Sequence, residues 1–543
     1  MRMMSNQIFG IDLGTTNTAL SYLYVMDGRS SVNLIKNRDG GELTPSVVYF
    51  QPNSDKSIVG KAALSMYTKD PDRTFRWVKR EMGKPIKWNV SAGAKPVEVN
   101  PETISARILK SVCEDAKRNL ELEDPITDVV ITVPAYFGDA QKRATLDAAE
   151  VAGLKASLIE EPTAAILDYI LTLRQEGRLR RVLKKDRSTI AVFDLGGGTF
   201  DVSICEVIFR GQSNGPPEIL VMAKDGDPRL GGFDFDLSLA KAALEKAIRQ
   251  SPTNENLKVL DESFQELRYE SRITDRGLRD VVADLVKTAE ECKKDLTHLE
   301  SVDFHIPVFR NVATSVQISR KEFEDSIDAY IRRIEEVISR TIMQAKNITG
   351  RELDSGNKID KVILIGGSTR IPVIDRLVES TFKIPASGGA DRDEAVARGA
   401  AIKGALDSGL LVLGGVQMTT SHAYGVLDES GHMTTVIVPE GSKYPHEYHH
   451  EYEVPFSLDV NLPLRIGQRY LGRTKQIALK EFHHPFLNTG DQLDIGITVD
   501  TNGMLHFKAV EPNSREYLEE SILQGIGMSQ GDKDLQSRVV GNN

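Results

Sequence analysis

The sequence predicts an α/β chain in which two lobes of the same plan face each other across a cleft, with a small all-β domain after them. Three observations predict it. A strand-turn-strand unit occurs twice, a third apolar strand ends in paired glycines, and the chain beyond residue 407 turns to period-two alternation. The 543 residues allow roughly three or four domains. Charged residues make up 27% and aromatic residues 6%, an ordinary globular balance, and no apolar run approaches the ~18 residues of a membrane span. With 68 Lys and Arg against 78 Asp and Glu, the net charge of -10 offers no basic field to a polyanionic backbone. Neither nucleic acid nor a membrane is therefore an expected partner. Cys113, Cys205 and Cys292 are odd in number and far apart, which fits free thiols in a reducing compartment, and the expected location is cytoplasmic.

The first unit is Gln7-Ile-Phe-Gly-Ile-Asp-Leu-Gly-Thr-Thr-Asn-Thr-Ala-Leu-Ser21, an apolar strand, a tight turn with hydroxyls, and a second strand. Thr189-Ile-Ala-Val-Phe-Asp-Leu-Gly-Gly-Gly-Thr-Phe-Asp-Val-Ser-Ile204 repeats the scheme. The related strand is Lys361-Val-Ile-Leu-Ile-Gly-Gly-Ser-Thr-Arg370, with Ser368 placed to cap a helix starting near Ile371-Pro372. Glycines let backbone amides approach phosphate oxygens, and Thr15, Thr16 and Thr199 add hydroxyl donors beside them. Asp12 and Asp194 bring one carboxylate to each turn, a pair suited to Mg2+ held through its waters across a polyphosphate. A lone glycine triplet is more often a plain turn; three glycine turns in matching strand contexts point to a nucleotide. Neither the P-loop nor the dinucleotide fingerprint is present, so the cradle is of another kind.

In order along the chain stand Ile11-Asp-Leu-Gly-Thr-Thr16, Ile131-Thr-Val-Pro-Ala-Tyr-Phe137, Glu161-Pro-Thr-Ala-Ala165, Phe193-Asp-Leu-Gly-Gly-Gly-Thr-Phe-Asp-Val202 and Ile365-Gly-Gly-Ser-Thr-Arg-Ile-Pro372. This set resembles the seventy-kilodalton heat-shock chaperone family, whose ATPase lobes share the fold of actin and the sugar kinases. It covers about residues 7 to 407 continuously and about 415 to 521 more faintly. The resemblance implies an actin-like ATPase domain over 1–407, a short linker over 408–416, a β-sandwich for extended peptides or a partner over 417–521, and a polar, flexible tail over 522–543 without the family's helical lid. Sugar kinases and filament-forming relatives lack this combination of blocks.

Carried over position by position, the resemblance makes Gly14, Thr15, Thr16, Asn17, Gly196, Gly197 and Gly198 the phosphate loops, with Asn17 a departure from the residues common there. Asp12 and Asp194 become the water-mediated Mg2+ ligands. Lys79, in Trp77-Val-Lys-Arg-Glu-Met-Gly83, is similar to the lysine that positions the attacking water; without the family, Lys79 beside Arg80 reads as a solvated surface pair. Glu161 resembles the metal-side glutamate, Asp201 the second-lobe catalytic carboxylate, Thr199 a catalytic hydroxyl and Pro134 the interlobe relay; each has a plainer reading as a cap or turn residue. Glu290, Lys293, Lys294 and Thr297 fall at i, i+3, i+4 and i+7, one helical face, and by resemblance surround the adenosine with Gly366, Gly367, Ser368, Arg370 and Asp393. Lys294 stands where the family has an arginine opposite Arg370, and an ammonium stacks on a base less well than a guanidinium.

Phe323, Ile327, Ile331, Ile334 and Ile338 recur at helical spacing and belong to a core, and the basic stretch Arg178-Leu-Arg-Arg-Val-Leu-Lys-Lys-Asp-Arg187 reads as a solvated loop. In the linker, Gly409, Gly414 and Gly415 stand where the family has an acidic docking segment, so weak coupling of the two domains is expected. Asn502-Gly503 between alternating strands predicts a hairpin. Eight of the ten histidines lie between His422 and His506; in His446-Glu-Tyr-His-His450 the strand alternation sends His449 away from His446 and His450, which weakens a three-histidine metal site and leaves a pH-responsive surface. The expected activity is a slow ATPase with ATP or ADP and Mg2+ as cofactors and K+ as a further candidate ion. It would be coupled to extended or unfolded peptides, with a J-domain co-chaperone and a nucleotide-exchange factor as implied partners. The alternative is a non-cycling regulatory co-chaperone that holds ATP structurally.

Overall fold

The computed structural model describes residues 7–541 apart from 27–28, 53, 55, 93–94, 210–216, 269–275, 311, 350–358, 386–390, 413–415, 455–460, 471, 484–488, 511–516 and 522–527. The duplicated unit forms the centre of two six-stranded sheets. In the first, Ile8–Leu13 pairs antiparallel with Asn17–Met26 and parallel with Asp128–Val133. In the second, Arg187–Leu195 pairs antiparallel with Phe200–Ile208 and parallel with Lys361–Ile365. Each tight turn thus opens at the carboxyl end of a central strand, where open α/β sheets place their ligands. Phe200–Ile208 is buried at every position, as expected of a strand covered on both faces.

Helix Glu161–Gln175 touches strands of both sheets and crosses helix Ala395–Asp407. Their axes come close because Gly399 has no side chain: a Cβ there would lie 1.8 Å from the Ala164 carbonyl oxygen. Gly10 gives Ala395–Asp407 the same freedom against the first sheet, where a Cβ would stand 2.2 Å from the Ala401 amide nitrogen. Ser21 Oγ closes this contact with a 2.6 Å bond to the Ala397 carbonyl. The predicted isoleucine stripe lies in the second-lobe core, split between helices Arg320–Ser326 and Asp328–Thr349 at Ile327. The basic stretch forms a one-turn helix, Leu179–Val182, before the strand that begins at Arg187.

Past Asp407 two four-stranded sheets stand together, one of Met433–Val438, Ala423–Leu427, Asn461–Tyr470 and Arg473–His483, the other of His446–Glu453, Gln492–Val499, Leu505–Val510 and Tyr517–Ser521. The predicted hairpin joins Gln492–Val499 to Leu505–Val510, with Gly503 in the left-handed conformation at φ 70°.

Two expectations are overturned here. The glycine-flanked linker is not a loose tether: Val416–Thr419 joins the second-lobe sheet, parallel to Glu218–Asp227, and Leu411 N bonds the Ala405 carbonyl. Gly414 and Gly415 lie outside the described residues, while Leu410 and Leu411 pack on the core. The apolar run Leu410 to Leu413 that reads as linker is therefore partly spent on packing. The tail is not wholly unstructured either: Gln530–Gly541 is a helix seated on helices Pro101–Asn119 and Asp139–Val151. Lys533, nearly buried, pairs with Asp147 at 2.8 Å and Glu150 at 2.6 Å, and Val540 packs with Ala106 and Val151. Its polar residues are anchors for one surface, which composition alone does not distinguish from solvated ones.

The β domain also docks on the first lobe. Asn502 Oδ1 accepts from Leu158 N at 3.0 Å, Tyr444 OH donates to Glu160 at 3.2 Å, and buried Lys224 pairs with the same Glu160. Burial pulls the Lys224 ammonium below its usual range against the pull of Glu160, and pushes His422 down to about 3 beside Lys142 and Lys224. Asp139, the first residue of its helix, is buried here with both carboxyl oxygens lacking a hydrogen-bond partner, and the Gln468 side chain of the β domain lies against neighbouring Gly138. Burial pushes the Asp139 carboxyl up to about 7, opposed by Lys142 of its own helix and reinforced by Asp500 of the β domain. A carboxyl raised on docking takes up a proton that its free form releases, so this contact is strongest below about pH 4 and weakens as pH rises to about 7. Asp139→Asn is expected to raise the thermal midpoint at pH 8 relative to the parent chain, with the gap shrinking by pH 5; a constant gap across that range shows that the docked carboxyl does not titrate.

Candidate functional site

The two tight turns meet in a polar cavity of about 100 Å³. Asp12 sits next to last in Ile8–Leu13, and its Oδ1 accepts from Thr132 Oγ1 at 2.9 Å. Gly14, Thr15 and Thr16 form the turn, and Ser46 ties its carbonyls back, from Oγ to Gly14 O at 2.8 Å and from N to Thr16 O at 2.8 Å. In the second turn all three glycine carbonyls are likewise engaged. Gly196 O accepts from Gly232 N at 3.0 Å and from Ser368 Oγ at 2.9 Å, Gly197 O from Phe233 N at 2.7 Å, and Gly198 O from Arg80 Nε at 2.8 Å. With the carbonyls spent elsewhere and Gly196 N donating to the Thr199 carbonyl at 3.1 Å, what remains to meet an anion is the rest of the amide edge and the Thr199 hydroxyl. The turns touch across the cleft because they are glycine: a Cβ on Gly197 would fall 1.8 Å from Thr16 Oγ1.

Four carboxylates and one ammonium share this space. Lys79, on the one-turn 3-10 helix Val78–Glu81, is buried and pairs with Glu161, the first residue of Glu161–Gln175. A helix N-terminus favours that negative charge. Asp194 and Asp201 face each other directly across the antiparallel pair, a like-charge juxtaposition that costs stability. Asp201 is fully buried; its Oδ1 accepts from Ala135 N at 2.9 Å and its Oδ2 has no partner. Burial and then Glu161 push Asp12 up to about 6, and the same two causes lift Asp194 and Asp201 well above the usual range. Burial draws the Lys79 ammonium down, but Glu161 and Asp12 outweigh it and hold it above its ordinary value. An orphaned carboxylate oxygen beside crowded, protonation-prone acids is a donor set that fits a hard divalent cation taking oxygen ligands and water.

The cavity is lined by Asp12, Gly14, Thr15, Thr16, Asn17, Lys79, Glu161, Asp194, Gly196, Gly197, Thr199, Gly366, Gly367 and Asp393 of the residues singled out from sequence. Gly198, Asp201 and Pro134 stand just behind it, Pro134 next to the Ala135 amide that Asp201 grips. Glu290, Lys293, Lys294, Thr297, Ser368 and Arg370 do not line it. Glu290 is held by Lys294 at 2.7 Å and by Arg76 at 3.1 Å, and these cations outweigh burial and take its carboxyl down to about 2. Lys293 turns inward to Asp236 at 2.7 Å and Gly232 O at 3.0 Å, and Arg370 pairs with Asp393 at 2.8 Å. Thr297 lies beyond the end of Arg276–Asp295 and bonds the Lys294 carbonyl, so the expected helical face is one turn shorter. Ser368 does not cap Pro372–Phe382; the 3-10 turn Gly367–Arg370 intervenes, and the hydroxyl reaches the second glycine turn instead.

Sequence reasoning missed Ala19, Leu43, Val396 and Arg392 in the lining and, across the rim, the contact of Trp77 with Phe233 at 3.9 Å between centroids, with Arg76 over Trp77. Leu43 and Val396 carry no motif, whereas Arg392, whose carbonyl accepts from Gly366 N at 2.7 Å, adjoins Asp393 and was within reach.

A profile of the family described as Hsp70 protein matches residues 8–537. The chain is 31% identical over 552 residues to a chaperone protein dnaK from Gracilaria tenuistipitata var. liui, which covers 95% of this chain and 79% of the relative. It is 30% identical to a chaperone protein dnaK3 from Thermosynechococcus vestitus over 100% of this chain and 79% of that one. A chaperone protein DnaK from Deinococcus deserti is 31% identical, over 98% of this chain and 82% of its own length. Among the described residues no helix is long and apolar enough to cross a membrane.

Gly197→Ala places a methyl group on the Thr16 hydroxyl and forces the two turns apart. ATP affinity is expected to fall by at least about ten-fold with little change in thermal midpoint, since the added atom meets a cleft and not a core; unchanged affinity in calorimetry refutes the closed approach of the turns.

Proposed function

Because this chain belongs to the Hsp70 family, we propose that it is an ATP-driven chaperone: it binds and slowly hydrolyses Mg-ATP in the cleft and couples this to extended peptides held by its β domain. The observation that carries the reading is the meeting of Lys79, Glu161, Asp12, Asp194 and Asp201 between two glycine turns with their carbonyls tied back. The turns and Thr15, Thr16 and Thr199 would hold the phosphates, and Asp12 and Asp194 would hold Mg2+ through water, with K+ a second candidate ion. Bound there, Mg-ATP supplies a phosphoanhydride whose terminal group water can attack.

The protein's work is then mostly positioning and charge. Lys79, kept charged by Glu161 and Asp12, orients the attacking water and offsets negative charge as it moves outward. Asp201 and Glu161 accept hydrogen bonds from the water of the site. Glu290, Lys293, Lys294 and Arg370 surround the nucleoside, with Gly366, Gly367, Ser368 and Asp393 completing the wall. Coupling would run along three contacts: Asp201 grips the amide beside Pro134, its cross-strand partner Gly226 donates to Tyr470 OH of the β domain at 3.3 Å, and Val416–Thr419 extends the second-lobe sheet. The sandwich suits extended chains, which give main-chain hydrogen bonds and side chains to alternate pockets. Soluble client polypeptides, a J-domain co-chaperone and an exchange factor are the partners of this reading.

Lys79→Ala is expected to keep Mg-ATP binding within a few-fold while single-turnover hydrolysis falls roughly 100-fold or more. A parent chain that binds ATP without turnover points instead to a non-cycling co-chaperone holding ATP structurally. Lys294→Arg restores a planar cation opposite Arg370 and should tighten ATP by up to about 1 kcal/mol; calorimetry showing a loss removes Lys294 from the base pocket.

A further inference from the structure

The 3-10 turn that carries Lys79 has a second cation, and it points the other way. Arg80 crosses the cleft to the second lobe: its Nε donates to the Gly198 carbonyl at 2.8 Å, its Nη1 lies 3.4 Å from Asp234 Oδ1, and its Nη2 pairs with the other Asp234 oxygen. The side chain is 12% exposed and rests over the Phe233 ring at 5.4 Å. Asp234 in turn accepts from Gly231 N at 2.9 Å, and Gly232 N and Phe233 N bond the carbonyls of Gly196 and Gly197. One guanidinium therefore holds both the glycine turn and the start of helix Gly232–Gln250 that braces it.

We propose that Arg80 is a positioning residue for ATP hydrolysis, registering Lys79 of the first lobe against the second-lobe phosphate turn; the proposal rests on the ATPase reading above. Lys79 and Arg80 are neighbours on a single tight turn, so fixing one fixes the other. Lys79 is tied to Glu161 on its own lobe, and Glu161 alone sets no distance from Lys79 to Gly197, Thr199 or Asp201. Arg80 sets it. Its planar fork meets a carbonyl and a carboxylate at once, which a lysine ammonium on a flexible stem does poorly. The bond to Gly198 joins the two lobes, so the geometry around Lys79 depends on their register. A misplacement of about 1 Å at a reacting centre is enough to cost on the order of 100-fold in rate.

The test measures single-turnover hydrolysis at saturating Mg-ATP and ATP affinity by calorimetry for the full chain, Arg80→Ala, Arg80→Lys, Asp234→Asn and the double variant Arg80→Ala with Asp234→Asn. Arg80→Ala should slow hydrolysis at least about ten-fold with affinity within about three-fold, Arg80→Lys should recover only part of the rate, and the double variant should be no slower than Arg80→Ala. Should Arg80→Ala fail to fold, Arg80→Lys and Asp234→Asn carry the same comparison. Rates of the Arg80 variants within two-fold of the parent overturn the proposal, as does a defect that saturating ATP abolishes. A parent chain that binds ATP without hydrolysing it overturns the ATPase reading itself, and this proposal with it, so the two failures are told apart by the parent alone.

Discussion

Three buried acidic side chains and a partly buried fourth around one ammonium are an arrangement that folding alone would not select. Asp194 and Asp201 stand opposite each other on neighbouring strands, Asp12 and Glu161 add to the same field, and the charge of Lys79 offsets only part of it. Burying like charges together costs free energy, and the protein meets that cost by shifting the carboxyls toward protonation. The rest of the molecule is arranged to keep these groups together. Both sheets end their central strands at this point, helix Glu161–Gln175 presents its N-terminus to it, and Gly399 lets the crossing helix approach closely enough to hold that N-terminus still.

A site under such strain transmits its state outward. Asp201 has one oxygen on the Ala135 amide and one without a partner, so a change of charge at the cluster bears directly on the segment that begins at Pro134. Across the strand, Gly226 leaves room for the Tyr136 ring, where a Cβ would come within 2.4 Å, and its amide meets Tyr470 of the β domain. The path from carboxylate to β domain is therefore two residues wide and made of direct contacts. Such a path puts the acidic cluster and the β domain in contiguous contact through Gly226.

The lobes and the site were largely legible because each rests on local chemistry. Asp-Leu-Gly at the end of an apolar strand fixes a turn, and two copies of it fix a pair of lobes. The hairpin at Asn502-Gly503 was legible for the same reason. What escaped was set by tertiary partners. Ser368 has the sequence position of a cap and serves a different turn; Arg80 beside Lys79 looks like a solvated residue until the second lobe supplies Gly198 and Asp234, and Trp77 finds its partner only in Phe233 of that lobe. The linker and tail misled in the same way, since glycines and polar residues say that a segment tolerates solvent and not that it lacks a surface to occupy.

Beside the buried apolar cluster that runs from the lobes into the β domain, the contacts that seat this domain include a polar set. Lys224, Glu160 and Tyr444 are buried together, and a buried ion pair of this sort contributes little net stability because desolvation offsets most of its attraction. It does impose geometry, for Glu160 takes both the ammonium and the phenol, and a shifted register would leave one of them buried and unpaired. Glu160 immediately precedes Glu161 of the acidic cluster. The seat of the β domain thus includes the residue next to the one that holds Lys79, through interactions that specify position. A change at Glu161 therefore lies one residue from the contact that fixes the β domain's register.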